Sequence, residues 1–294
     1  MPIFQTNDKQ AKQIALDLER FENEAALRDY FADNLESLLG MRFLAKEYQT
    51  QDGRIDTLAI DESGSPVIIE YKWNEKDTIL PQGLFYFNWL KENKRLFNLQ
   101  AEKILGKEVK VNWEKPRVLL IAQGFDRYTM FAVREVRYVE LIRYTPYKDG
   151  ILLLETVYSP ETSKPIMEKM EKGGIEEKET EKYGIDYHLE KVSNEVKEMF
   201  YAFQEQILAL PSVTERAEQK VGITYRTTKS FTRFEFGKTY FDVLLREPKY
   251  DDPRGLVRDI SSNKWGYKGL VKIKSLEDVD YVFGLIRQSY ESTL

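Results

Sequence analysis

GRIDTLAIDESGSPVIIEYKW, residues 53–73, reads as two apolar strands, RIDTLAID and PVIIEYKW, with ESGSP supplying the turn between them. The run Val67, Ile68, Ile69 suits a central strand buried on both faces. Yet the pair carries Asp56, Glu70 and Lys72, and a charge out of water costs several kcal/mol, on the order given for buried ions, unless it is compensated. Alternate residues of a strand share a face, so Glu70 and Lys72 project together while Tyr71 points the other way. If the strands are antiparallel neighbours, Asp56 near the start of one lies opposite the end of the other, beside Glu70. The bland reading makes Glu70 and Lys72 a solvated edge-strand pair worth little in stability. The apolar run before them argues for a central strand instead.

Two carboxylates held close together raise one another's proton affinity unless a cation neutralises them. The composition limits which cation. The chain has no cysteine and one histidine, His188, which excludes thiolate nucleophiles, cysteine zinc sites and multi-histidine centres within one chain. His188 itself reads as structural or exposed. Oxygen donors suit magnesium or manganese, which take only one or two carboxylates and keep several waters. The expected ligands are Asp56, Glu70 and the backbone carbonyl of Tyr71, with Lys72 beside them to orient a nucleophile or screen growing negative charge. That chemistry is phosphodiester hydrolysis.

Outward from this centre, the spacing of Ile14, Leu16, Leu18, Phe21, Leu27, Phe31, Leu35 and Leu38 predicts one or two helices over residues 8–39, stopped by Gly40. MRFLAKEYQT reads as a strand before the central pair. Residues 80–105 read as helical, PRVLLIAQ as a buried strand, TMFAVREV as a helix, and RYVELIRYTP and GILLLETVYS as closing strands. The order is α–βββ–α–β–α–ββ. Residues 159–183 turn abruptly to Glu, Lys, Gly and Pro and read as a linker. Beyond it come an amphipathic helix, the period-two hairpin KSFTRFEFGKTYFDVLLR and a terminal helix opened by a Ser–x–x–Asp pattern. The expected division is therefore a domain at 1–158, the linker, and a small α+β domain at 184–294 that binds substrate or a partner.

Asp56 followed by Glu70–Tyr71–Lys72 after apolar strand residues resembles the D…ExK core of the PD-(D/E)XK nuclease superfamily, and GRID is similar to its RecB-like and NucS-like branches. The resemblance spans about residues 15–158 and implies a restriction-endonuclease-like α/β core, a mixed sheet flanked by helices. In this chain Ile55 stands before Asp56 where the name-giving motif has proline. Glu24 falls on the apolar face of the leading helix, where the family often places a glutamate that supports the metal. Gln82 and Tyr86, four apart in QGLFYFNWL, are similar to the QxxxY motif that helps hold site and nucleic acid; their bland reading is a packing face with Phe85 and Trp89. The C-terminal domain resembles a nuclease-associated family of unknown function.

The resemblance implies a Mg²⁺- or Mn²⁺-dependent endodeoxyribonuclease in DNA repair, restriction or defence, with Asp56, Glu70, Lys72 and Glu24 as catalytic residues. Its partner would be single- or double-stranded DNA, and cutting both strands makes a homodimer plausible. The alternatives are a non-cleaving binding module on the same scaffold and a ribonuclease. The net charge of −5 places any nucleic-acid contact on local patches. Arg54, Lys91, Lys94 and Arg95 are expected to support the site or the nucleic acid. The basic stretch runs on through Lys103, Lys107, Lys110, Lys115 and Arg117, with Phe97 and Trp113 interleaved as stacking candidates. A second basic and aromatic set, Tyr225, Arg226, Lys229, Phe231, Arg233, Phe234, Phe236, Lys238 and Tyr240, should pack one face on helices and turn the other to a nucleic acid or second protein. Trp265 and Tyr267 read as core. No apolar run reaches the roughly 20 residues of a membrane span and no signal-peptide pattern opens the chain, so the expected location is the cytoplasm.

Overall fold

The computed structural model describes residues 3–7, 10–14, 16–73, 79–160, 183–262 and 266–294. Two strands come first, β1 (Ile3–Asn7) and β2 (Gln10–Ile14), paired antiparallel with Ile3 opposite Ile14. This corrects the helix expected from residue 8. The Asn–Asp pair at 7–8 is a turn composition that helical spacing does not weigh. The helix starts only at α1 (Glu24–Asp33), where the Asn23 side chain accepts from the Ala26 amide at 2.9 Å, and α2 (Leu35–Leu39) follows.

The first large sheet contains β3 (Arg42–Gln49), β4 (Arg54–Ile60), β5 (Pro66–Lys72), β6 (Arg117–Ala122), β7 (Val139–Tyr147) and β8 (Ile151–Tyr158), in that spatial order. It is mixed: β5, β6 and β7 run parallel, and the flanking pairs are antiparallel. The parallel connections need crossovers. They are α3 (Ile79–Glu92) with α4 (Lys94–Leu105), and α5 (Arg127–Ala132). The stretch expected as one helical run breaks at Asn93, whose side chain donates to the Trp89 carbonyl at 2.9 Å.

Strand alternation sorts β5 between two cores. Ile68 joins Leu58, Val118 and Leu120 beneath α3, with Phe87 and Leu90. Val67, Ile69 and Tyr71 face α1, packing with Leu27, Phe31 and Leu35. Each fully buried aliphatic or aromatic side chain contributes about 1.5–3 kcal/mol. Gly83 lets α3 lie close on the sheet, since a Cβ there would stand 2.8 Å from Leu120 Cδ2 and 2.9 Å from Val118 Cγ1.

After α6 (Ile185–Leu189) and α7 (Asn194–Leu208), the second sheet is built from β9 (Thr214–Gln219), β10 (Gly222–Arg226), β11 (Ser230–Phe236), β12 (Phe241–Leu245), β13 (Arg258–Asp259) and β14 (Gly269–Ile273). Its order is β13-β14-β12-β11-β10-β9, antiparallel throughout, and α8 (Val279–Glu291) closes the chain. Phe200, Phe203, Val282 and Ile286 share a core with Tyr225, Phe231, Phe234 and Phe241. His188 is buried in the same half, its Nε2 3.0 Å from the Ala217 carbonyl, and Tyr267 is buried as expected. Trp265 and residues 161–182 of the expected linker lie outside the described residues. No helix among the described residues is long and apolar enough to cross a membrane.

The other face of the second sheet meets the first half of the same chain, and charges make the junction. Glu140 on β7 faces Arg117 at 2.5 Å, Arg216 at 2.5 Å and Arg226 at 3.6 Å, while Arg117 also reaches Asp61 at 3.2 Å. Glu62, in the β4–β5 turn, takes Arg246 at 3.0 Å and the Ser230 amide at 3.3 Å. Arg233 donates to Ser63 Oγ at 3.0 Å. Arg226 and Arg233, expected to turn toward nucleic acid or a second protein, are instead buried partners of the first half.

Gly40 sits at this junction with φ +64, capping α2 in the left-handed region; a Cβ there would collide with the Glu62 carboxylate and stand 2.7 Å from Lys229 Cβ. Gly40→Ala is therefore expected to cost about 1–2 kcal/mol from the backbone alone, with the collision added. Urea denaturation measures it, and an unchanged midpoint would contradict the packing described.

Candidate active site

The site forms where β4 begins and β5 ends. Thr57 pairs with Ile69 and Leu58 with Ile68, so the next step of that register sets Asp56 opposite Glu70. There the ladder is replaced by side chains. The Asp56 amide donates to Glu70 Oε1 at 3.2 Å, and the Tyr71 amide donates to Asp56 Oδ2 at 3.1 Å. Each carboxylate thus takes the backbone donor that pairing would otherwise use, which fixes both side chains where β4 begins and β5 ends.

Both acids are withdrawn from water, Asp56 at 6% exposure and Glu70 at 0%. Burial, followed by the Asp56 charge, pushes the Glu70 carboxyl up to about 9. Burial likewise raises Asp56, against the pull of the Tyr71 amide. Burial thus holds both carboxyls toward their neutral forms, and the Asp56 charge adds to the effect on Glu70.

Lys72 projects from the same strand end. Its ammonium reaches Glu24 Oε1 at 3.2 Å and Oε2 at 3.5 Å, and the Trp73 amide donates to Glu24 Oε2 at 3.4 Å. Glu24 is the first residue of α1, half-buried, whereas Glu22 and Glu36 are exposed. It pairs with the lysine and does not join the two carboxylates. Among the described residues no group of three or more Asp, Glu, His or Cys side chains is gathered as a metal cage. Asp56 and Glu70 carry the carboxylate oxygens that could hold a hard cation such as magnesium or manganese, which takes one or two carboxylates and keeps its remaining ligands as water.

The helical pair divides its work. Gln82 donates to Glu70 Oε2 at 2.6 Å, which the close seating of Gly83 on β6 makes possible. The Tyr86 hydroxyl accepts from the Arg54 amide at 3.0 Å and anchors the start of β4. Gly53 has φ +159 with Tyr86 Oη 2.7 Å from where its Cβ would be, so the ring fills that space. Arg54 itself points to Glu47 at 2.8 Å and is half exposed.

Lys91, Lys94 and Arg95 are exposed but are not brought to the carboxylates. Lys91 lies nine residues beyond Gln82, roughly 13 Å along α3 at the helical rise of about 1.5 Å per residue. Phe97 is fully buried, Trp113 packs on it with its indole N–H donating to Asn98 at 3.1 Å, and Arg117 is locked in the junction. The expected stacking track there is accordingly withdrawn.

Three residues at the site escaped the sequence reading. Arg28, one turn after Glu24 on the same helical face, is buried and bonds Glu47 at 3.1 Å. Glu47, opposite Asp56 in the β3–β4 register, has φ +50, an uncommon conformation for a side-chain-bearing residue. Trp73 donates to the Phe21 carbonyl at 2.9 Å, tying the segment before α1 to the site. An arginine at inward helical spacing is a signal that was available for Arg28; nothing in the local sequence marks Glu47.

Residues 185–293 match the family described as a domain of unknown function, DUF5655. Over 98% of this chain and 99% of the relative, the sequence is 26% identical to an uncharacterized protein of Haemophilus influenzae. Among solved structures it is similar to a repair endonuclease from Pyrococcus abyssi, with 19% identity, 45% of this chain and 50% of that one covered, and a TM-score of 0.27. It is also similar to the protein in an EndoMS–dsDNA complex, with 18% identity, 46% and 47% covered, and a TM-score of 0.26. The aligned part spans about half the length of the solved structures it matches. At such TM-scores these likenesses are partial, and the functional reading stands on the geometry of the site.

Proposed function

We propose that this chain is a divalent-metal-dependent nuclease that hydrolyses phosphodiester bonds in DNA, on a restriction-endonuclease-like core. The observation that carries the reading is the buried pair Asp56 and Glu70, the Glu70 carboxylate accepting from the Asp56 amide and the Asp56 carboxylate from the Tyr71 amide, with the Lys72 ammonium at the same strand end. A buried acid pair with raised proton affinity has little structural use, and a divalent cation relieves it. A magnesium or manganese ion held by these carboxylates and the Tyr71 carbonyl would polarise a phosphoryl oxygen and acidify a bound water. Glu24 holds the Lys72 ammonium where it faces a phosphate at the pair and screens the charge that grows as the bond breaks. Gln82 fixes the Glu70 carboxylate, and Tyr86 fixes the strand that carries Asp56.

Purified protein incubated with single- and double-stranded DNA and with RNA, with Mg²⁺, Mn²⁺ or chelator, tests the reading. Metal-dependent cleavage of DNA is expected. Lys72→Ala and Asp56→Ala should each lower the rate by about 10²–10³-fold, the range for losing one charge-stabilising group. Cleavage that survives both substitutions removes the assignment, and cleavage confined to RNA changes its substrate.

A further inference from the structure

The end of the sheet that carries the acid pair has a second feature. Ala122, the last residue of β6, pairs with Lys72, and α5 begins five residues later. At no more than about 3.5 Å per residue plus a strand spacing near 5 Å, Arg127 lies within about 22 Å of Lys72. The helix is seated by Thr129 and Val133, both buried, and its amides are capped by Asp126, which accepts from Tyr128 at 2.7 Å and Thr129 at 3.1 Å. Its outer side is aromatic and basic. Tyr128 is 85% exposed and Phe131 56% exposed. The Arg127 and Arg134 guanidiniums sit 5.7 Å and 5.1 Å from the centre of the Phe131 ring, and Arg137 is exposed just beyond.

Neither ring belongs to the two cores that flank the first sheet, and, three residues apart on the helix, they offer aromatic surface to a partner. Three arginines, Arg127, Arg134 and Arg137, against the two carboxylates Asp126 and Glu135 leave this surface locally positive by one charge on a chain whose net charge is −5. Rings alone would suit a protein surface as well. Rings set among guanidiniums, on the helix that follows the strand paired with Lys72, suit a polyanion with unpaired bases, because a base stacks only when its face is free and each phosphate answers an arginine.

We propose that Tyr128 and Phe131, with Arg127 and Arg134, form a stacking platform that binds single-stranded nucleic acid within about 22 Å of the strand end that carries the acid pair. A duplex keeps its base faces inside its own stack and gains only the charge contacts. The proposal rests on the nuclease reading for its choice of a nucleic acid, but it concerns binding and can be measured without cleavage.

Fluorescence anisotropy with a labelled 16-nucleotide oligo-dT and a 16-base-pair duplex, in chelator, compares wild type with Tyr128→Ala, Phe131→Ala, Tyr128→Phe and Asp56→Ala. Single-strand affinity is expected to fall about fivefold or more for each alanine, the lower end for loss of one base stack. Tyr128→Phe should retain it, and duplex affinity should change less than twofold. Both rings are exposed, so circular dichroism and melting of the alanine variants should match wild type. Absence of single-strand binding in wild type, or equal single-strand affinity in wild type and both alanine variants, overturns the platform. An equal loss for single strand and duplex overturns the preference for unpaired bases. Intact duplex cleavage alongside unaffected single-strand binding would sink the platform and leave the nuclease standing; platform binding without any cleavage would do the reverse.

Discussion

Asp56→Asn and Glu70→Gln are expected to cut the cleavage rate steeply while leaving the metal-free protein as stable as wild type or more so. The opposite signs come from the same burial. Without a cation, Glu70 keeps its proton to about pH 9, so a neutral amide of the same shape replaces what is already a neutral group. Asp56→Asn removes a charge whose ionised form burial disfavours, yet retains an oxygen for the Tyr71 amide. A gain of about 0.5–2 kcal/mol is the usual size when a strained functional group is relieved. Activity should fall by about 10³-fold, as for the loss of a group acting on the reacting phosphate. If the pair were structural, both substitutions would lower the melting temperature instead.

A carboxyl whose folded value lies above its unfolded value of 4.5 adds stability that is complete below 4.5 and is lost as pH rises through about 9. Metal-free wild type should therefore soften progressively between those limits, Asp56 adding in the same direction. Glu70→Gln should flatten that slope, and so should saturating Mg²⁺, because metal binding expels the protons and tightens as pH rises. Calorimetric melting in chelator from pH 5 to 9 measures the slope; a stability that rises with pH across that window would contradict it.

Glu140→Gln should be the most destabilising change among the charges at the junction. It strips three guanidiniums, those of Arg117, Arg216 and Arg226, of the carboxylate that faces them in a site from which water is excluded. Breaking such a buried set from one side costs about 3–5 kcal/mol, or a fall in melting temperature of roughly 6–20 °C. Glu155→Gln is the control, since the Arg143–Glu155 pair is 3.8 Å apart and well exposed, where the expected change is within about 0.5 kcal/mol. The arginines hold the Glu140 carboxyl far below its usual range against the cost of burial. Its contribution is thus present above pH 4.5 and is lost as pH falls toward the folded value, so wild type should carry an acid sensitivity that the variant lacks. A shift no larger than the control's would show that the two sheets do not depend on this junction.

The central strands were legible because their signal is local. An unbroken apolar run ending in Glu–Tyr–Lys specifies a buried strand with its charges at one end, and period-two geometry alone put Glu70 and Lys72 together. The register that sets Asp56 opposite Glu70 follows from the short ESGSP turn. Glu24 was readable from helical spacing, although its observed partner, Lys72, is 48 residues away. The opening hairpin was misread because its apolar residues fit a helical period as well as a strand, and only the turn residues discriminate. Glu47 and the Glu140 junction were not legible. A positive-φ residue inside a strand and an ion cluster drawn from four strands, β6, β7, β9 and β10, exist only after the sheets assemble. For the same reason the basic and aromatic residues of the β10–β11 region read as a binding face, when arginine against a buried carboxylate in the same chain has an identical local appearance.

The most direct measurement is anomalous diffraction from a manganese-soaked crystal of the wild-type protein at pH 8. The expected result is one peak at the β4–β5 end, about 2.0–2.2 Å from a carboxylate oxygen of Asp56 and of Glu70, absent from a crystal of Asp56→Asn. A map with no manganese at the pair, or with the ion bound elsewhere and unchanged by the substitution, would contradict the account.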